Sequence, residues 1–100
     1  MSTSRTVSVG DIAMRITEHG DGDPVVLCHG FPGLGYSWRH QMSALAEAGY
    51  RVIAPDMRGY GGTDAPPDAA AYDRTHTVAD LVGLLDALDI EQAVFGGHDF

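Results

Sequence analysis

Three short apolar runs, each emptying into a glycine-containing loop, constrain this 100-residue chain more than any other feature. Pro24–Cys28 runs into His29-Gly30-Phe31-Pro32, and Tyr50–Ala54 into Asp56-Met57-Arg58-Gly59-Tyr60-Gly61. Ala93–Phe95 runs into Gly96-Gly97-His98-Asp99-Phe100. Their uninterrupted apolar stretches, Val25–Cys28, Val52–Ala54 and Ala93–Phe95, predict parallel strands covered on both faces. Between them the spacing turns helical. Trp38, Met42 and Leu45 share one face of Trp38–Ala48, with Gly49 as a stop. Thr77 and Asp80 form a capping-box pattern ahead of Val78, Leu81, Leu85 and Leu88 on one face. Before all of this, Asp11–Thr17 alternates strictly, with Ile12, Met14 and Ile16 on one side, as in a half-buried strand. Thr6–Val9 precedes it across a Gly10-Asp11 turn. The predicted class is α/β: an antiparallel β-hairpin followed by a parallel β-α-β-α-β unit.

Charge and cysteine content narrow the function. Fourteen acidic residues against six arginines give a formal charge of -8, which repels polyphosphate and argues against nucleic acid as a partner. The first residues lack an apolar core of signal-peptide length, and no run approaches a membrane span. One cysteine, Cys28, excludes an internal disulfide and fits a reducing cytoplasm. The five histidines show no metal-ligand spacing, and the glycines match neither a dinucleotide nor a P-loop pattern, so neither metal nor cofactor is expected. Ala65–Ala71 reads as a surface loop. Val94–Phe100 reads as a strand entering a turn. The expectation is therefore that residues 1–100 are the N-terminal part of a single longer domain and inactive alone.

Parallel strands point one way, so the three loops gather at the carboxyl edge of the sheet, where open α/β sheets bind ligands. The third loop carries the chemistry. A strand ending in Gly-X-nucleophile-X describes a nucleophile elbow, with Asp99 in the central place. A carboxylate there suits displacement at an sp³ carbon, leaving an ester on the enzyme. Asp99 could instead be a turn former or helix N-cap, but the company of the other two loops favours the catalytic role. The amides of Phe31 and Phe100 are the candidate oxyanion hole, and Phe31, Pro32, Leu34 and Phe100 are candidate pocket residues. His29 and His98 are either bases or structural, with loop-holding hydrogen bonds the favoured role. Asp56 and Arg58 are either substrate ligands or, preferred, a local ion pair fixing a loop in which Gly59 and Gly61 permit positive φ. Cys28 reads as an inert buried thiol. His40 and His76 read as surface residues.

These segments resemble the soluble epoxide hydrolases of the α/β-hydrolase superfamily. The resemblance runs from about Val25 to Phe100 and rests on CHGFP, YSWRHQ, AGYRVIAPDMRGYG, the APP turn and EQAVFGGHDF. It implies the N-terminal portion of an α/β-hydrolase fold, with lid and C-terminal half outside the given residues. It implies a small hydrophobic epoxide and water as reactants, attack by Asp99 on an epoxide carbon, and oxyanion stabilisation by the amides matching Phe31 and Phe100. It further implies two lid tyrosines and a water-activating His–Asp pair, which in the family lie beyond the nucleophile. The Phe31–Pro32 bond is expected to be cis by the same resemblance. Two departures stand out: Phe100 and Gly35 occupy places where family members often carry Trp.

Two other functions compete. Dehalogenases share an Asp nucleophile but need side-chain N–H donors around the leaving halide, whereas Phe31 and Phe100 offer apolar rings. A non-catalytic binding protein of the same fold is the third reading, disfavoured by the intact elbow.

Overall fold

The structure, a computed structural model, describes residues 2–10, 12–29, 38–59, 61–63, 65 and 74–97. Strict alternation produces the expected hairpin. β1 (Ser2–Val9) pairs antiparallel with β2 (Ile12–His19), from Ser2 opposite His19 to Val9 opposite Ile12. Ile12, Met14 and Ile16 are buried and Arg15 is exposed, because successive side chains of a strand face opposite sides. Both strands are longer than their apolar patterns suggested, since polar residues continue the ladder to its ends.

The chain then alternates β3 (Asp23–Cys28), α1 (Arg39–Glu47), β4 (Tyr50–Pro55), α2 (Arg74–Ala87) and β5 (Val94–Gly97). The described strands form one five-stranded sheet in the order β1-β2-β4-β3-β5. The hairpin joins through an antiparallel β2–β4 pairing, while β4, β3 and β5 run parallel as neighbours. This is the predicted architecture, with β4 inserted between β2 and β3.

Each face of the sheet has its own core. Val26 and Cys28 of β3 and Ile53 of β4 pack with Val9, Ile12, Met14, Ile16 and with Leu84 of α2. Val25, Leu27, Val52 and Ala54, the alternate residues of the same strands, pack with Met42 of α1 and with Trp38 and Leu45. The continuous apolar runs of β3 and β4 are thus explained, because both pleat faces meet a helix. Each fully buried aliphatic side chain contributes about 1.5–3 kcal/mol.

Two expectations need correction. The α2 helix begins at Arg74, so Thr77 and Asp80 lie inside it rather than capping it. Its buried stripe centres on Leu84, with Asp80 buried and Leu81, Leu85 and Leu88 half-buried. Val78 falls about a third of a turn off that centre and is 58% exposed. The β5 strand is also less covered than its apolar sequence suggested: Val94 is 67% exposed and Phe95 45%. Among the described residues it pairs with β3 alone, and neither α1 nor α2 reaches over it. No helix among the described residues is long and apolar enough to cross a membrane.

Candidate active site

The strand register brings two of the three loops out side by side. Parallel β3 and β5 pair Val25 with Val94 and end with Cys28 opposite Gly97. The chain therefore leaves toward Phe31 and toward Asp99 from neighbouring positions on one rim. A Cβ on Gly96 would lie 3.0 Å from Leu27 Cδ2, a close contact that the end of the leucine side chain would have to yield by a few tenths of an ångström. The β4 strand runs parallel to β3 and delivers the second loop at the same edge.

Buried polar contacts tie the first two loops together. His29, only 4% exposed, accepts a hydrogen bond at Nε2 from the Met57 amide, 2.9 Å away. An accepting Nε2 carries no proton, so this bond requires the neutral ring. The geometry favours loop-holding over a base for His29, because the ring nitrogen that would take a proton is occupied by backbone.

Arg58 reaches a partner beyond the expected loop pairing: Asp80 in α2, with two parallel bonds, Nε to Oδ2 at 2.9 Å and Nη2 to Oδ1 at 2.8 Å. Both side chains are at most 5% exposed. A fork of this kind matches guanidinium to carboxylate in position as well as charge. Asp56 accepts from the Gly62 amide through its carboxylate. Its own amide donates to the Arg15 carbonyl, and its carbonyl accepts from the Thr63 hydroxyl at 2.6 Å. The same Thr63 oxygen accepts from the Arg15 amide at 2.9 Å. The turn between these contacts carries Gly59 at φ +84° and Gly61 at +51°, as anticipated.

Sequence reasoning missed Asp80 and Thr63. Asp80 did carry a signal: a lone acid on the apolar stripe of a helix must find a buried cation or stay uncharged. Thr63 carried none, because a hydroxyl bridging two strands through a loop looks like any loop threonine.

Burial pushes the Cys28 thiol up to about 11, so it stays protonated and is a packing residue, not a nucleophile. His40 is exposed as expected, whereas His76 is half-buried. Asp99, Phe100, Phe31, Pro32, Leu34, Gly35 and His98, with the Phe31–Pro32 bond, lie outside the described residues. Among the described residues no three His, Cys, Asp or Glu side chains gather as metal ligands. A groove of about 880 Å³ lies at the opposite, amino end of the parallel strands, between Thr3, Glu18, His19, Ser43 and Arg51. It is remote from the three loops and open to solvent.

Comparison with known proteins agrees with this layout. Residues 23–100 match the family model of the alpha/beta hydrolase fold. An epoxide hydrolase of Caballeronia sordidicola is 55% identical over 94 residues, covering 94% of this chain and 29% of that protein. Epoxide hydrolase A of Mycobacterium tuberculosis is 55% identical, covering 98% of this chain and 31% of its own length. The crystal structure of an epoxide hydrolase from Vigna radiata superposes with a TM-score of 0.96 at 48% identity, over 98% of this chain and 32% of that one. The chain thus spans about 30% of the length of the curated relatives it matches. With the sheet order, the shared rim and the match from Asp23 onward, the chain belongs to the α/β hydrolase fold family.

Proposed function

We propose that these residues form the N-terminal part of the α/β-hydrolase domain of an epoxide hydrolase that opens an epoxide to a vicinal diol through a covalent ester on Asp99. The observation that carries this reading is the similarity to proteins named epoxide hydrolase, near 50% identity along almost the whole chain. Supporting it, β5 leads to Asp99 from the position paired with the end of β3.

In the first step an Asp99 carboxylate oxygen attacks an oxirane carbon. A carbon–oxygen bond forms, the ring carbon–oxygen bond breaks, and its electron pair goes to the departing oxygen, which takes a proton. Water then adds to the ester carbonyl carbon, placing charge on the carbonyl oxygen. The amides of Phe31 and Phe100 are the donors assigned to that oxyanion. Collapse expels the diol oxygen and restores the carboxylate with one oxygen from water, whose two protons go to the expelled oxygen and to the acid that protonated the oxirane oxygen. Phe31, Pro32, Leu34 and Phe100 give the pocket an apolar wall suited to a small hydrophobic epoxide. Such an enzyme needs no metal or cofactor. A buried, protonated Cys28 suits a reducing cytoplasm.

The test is a single turnover in ¹⁸O-water with the full-length enzyme that carries this chain. Label is expected in the Asp99 carboxylate, while the first diol keeps an unlabelled enzyme oxygen. Label appearing directly in the diol and never in Asp99 would refute the covalent route. Asp99→Asn should fold normally and lose at least about a thousandfold in kcat.

A further inference from the structure

We propose that Asp80, on the inward face of α2, is a positioning residue for hydrolysis of the Asp99 ester, acting through Arg58, the Met57 amide and His29. This rests on the covalent mechanism proposed above and names residues for it that make no contact with substrate.

The contacts form one buried line. Asp80 holds Arg58 by two bonds of 2.8 and 2.9 Å, with both side chains at most 5% exposed. Arg58 adjoins Met57 in the chain, and the Met57 amide donates to His29 Nε2 at 2.9 Å. His29 directly follows β3, whose last residue pairs with Gly97 of β5, and it precedes the Gly30-Phe31 segment assigned to the oxyanion hole. Among the described residues, the first loop is thus held to the second through the His29 acceptor, and the second to α2 through the Arg58 fork. A guanidinium with a planar five-donor fork fixes orientation in a way an unpaired loop cannot.

The two chemical steps use the oxyanion amides oppositely. During attack on the epoxide, charge leaves the Asp99 carboxylate, so donors beside it stabilise the starting state more than the transition state. During ester hydrolysis, charge builds on the carbonyl oxygen, and the same donors stabilise only the transition state. Loosening the line from Asp80 to His29 should therefore slow hydrolysis selectively and make the ester accumulate.

The experiment is rapid-quench intact-protein mass spectrometry of the full-length enzyme, following the mass of enzyme plus epoxide through one turnover. In Asp80→Asn the ester should form within about threefold of the parent rate but decay about tenfold more slowly or worse. His29→Leu should do the same, whereas His29→Gln, whose Oε1 can accept from the Met57 amide, should recover most of the rate. If Asp80→Asn does not fold, the His29 pair carries the test alone. A folded variant in which both steps slow equally, or neither changes, overturns the positioning role while leaving the covalent mechanism intact. A parent enzyme that makes diol without any ester mass overturns the mechanism, and this proposal with it.

Discussion

The two ends of the parallel strands use ion pairs in opposite ways. At the carboxyl rim, Arg58 and Asp80 are sealed from water and joined by two bonds. At the amino end, Glu18 of β2 lies between Arg5 of β1 and Arg51 of β4, with contacts of 2.6 and 2.8 Å. There Arg5 is half exposed and Arg51 more than a quarter exposed. The rim pair joins a loop to a helix with no strand ladder between them, so it fixes where the loop sits. The amino-end group ties three neighbouring strands that the ladder already holds in register. Burial makes the rim pair costly to break and specific in direction, while exposure leaves the other a modest stabiliser.

The largest effect should come from breaking the rim pair on one side only. Asp80→Asn takes a carboxylate charge away from the buried Arg58, and chemical denaturation should show a loss of about 3–5 kcal/mol. Replacing both residues by apolar ones of similar volume, Asp80→Leu with Arg58→Met, should recover most of that stability. If the double variant is no more stable than the single one, the cost lies in packing rather than in the buried charge.

Thr63 offers a smaller test at the same rim. Its hydroxyl donates to the Asp56 carbonyl and accepts from the Arg15 amide while 95% buried. Thr63→Val keeps the shape and removes both bonds, leaving buried backbone groups unpaired, at about 1–3 kcal/mol. A loss below half a kilocalorie, roughly the scatter of ordinary surface changes, would show that water replaces the hydroxyl and that this rim loop is wetter than its burial implies.

The architecture was legible because hydrophobic period encodes element type: the alternation of Ile12, Met14 and Ile16 and the unbroken Val25–Cys28 run each found the predicted environment. Partnership was less legible. Asp56 is two residues from Arg58 and Asp80 is twenty-two away, and only the path of α2 across the sheet brings the distant acid to the guanidinium. Helix phase misled in the same region, where Val78 shares a rough apolar spacing with Leu81 and Leu85 but lies outside the stripe centred on Leu84. The exposure of β5 is that of an edge strand, as expected if residues 1–100 are part of a longer domain, whereas its apolar run alone pointed to burial on both faces. For the site, the sequence located the rim and its loops, whereas the bonds of His29, Thr63 and Asp80 depend on contacts between separate elements.

The smallest effect, and the other half of the comparison, belongs to Glu18. Burial pushes its carboxyl up, but the bonds and charges of Arg51 and Arg5 outweigh this and hold it below its ordinary value of 4.5. A lowered folded-state value means the native protein binds the proton less readily than the unfolded chain, so falling pH favours unfolding through this group. Its stabilisation is therefore fully present above about pH 4.5 and fades as pH drops below that value. Glu18→Gln should cost no more than about 1 kcal/mol at neutral pH, less at high salt. The gap between parent and variant should close as pH falls, because a protonated glutamic acid and a glutamine both lack the charge that Arg5 and Arg51 attract. A gap that stays constant down to pH 3, or a neutral-pH cost as large as that of Asp80→Asn, would mean that exposure does not separate the two ends and that the amino-end group is as structural as the rim pair.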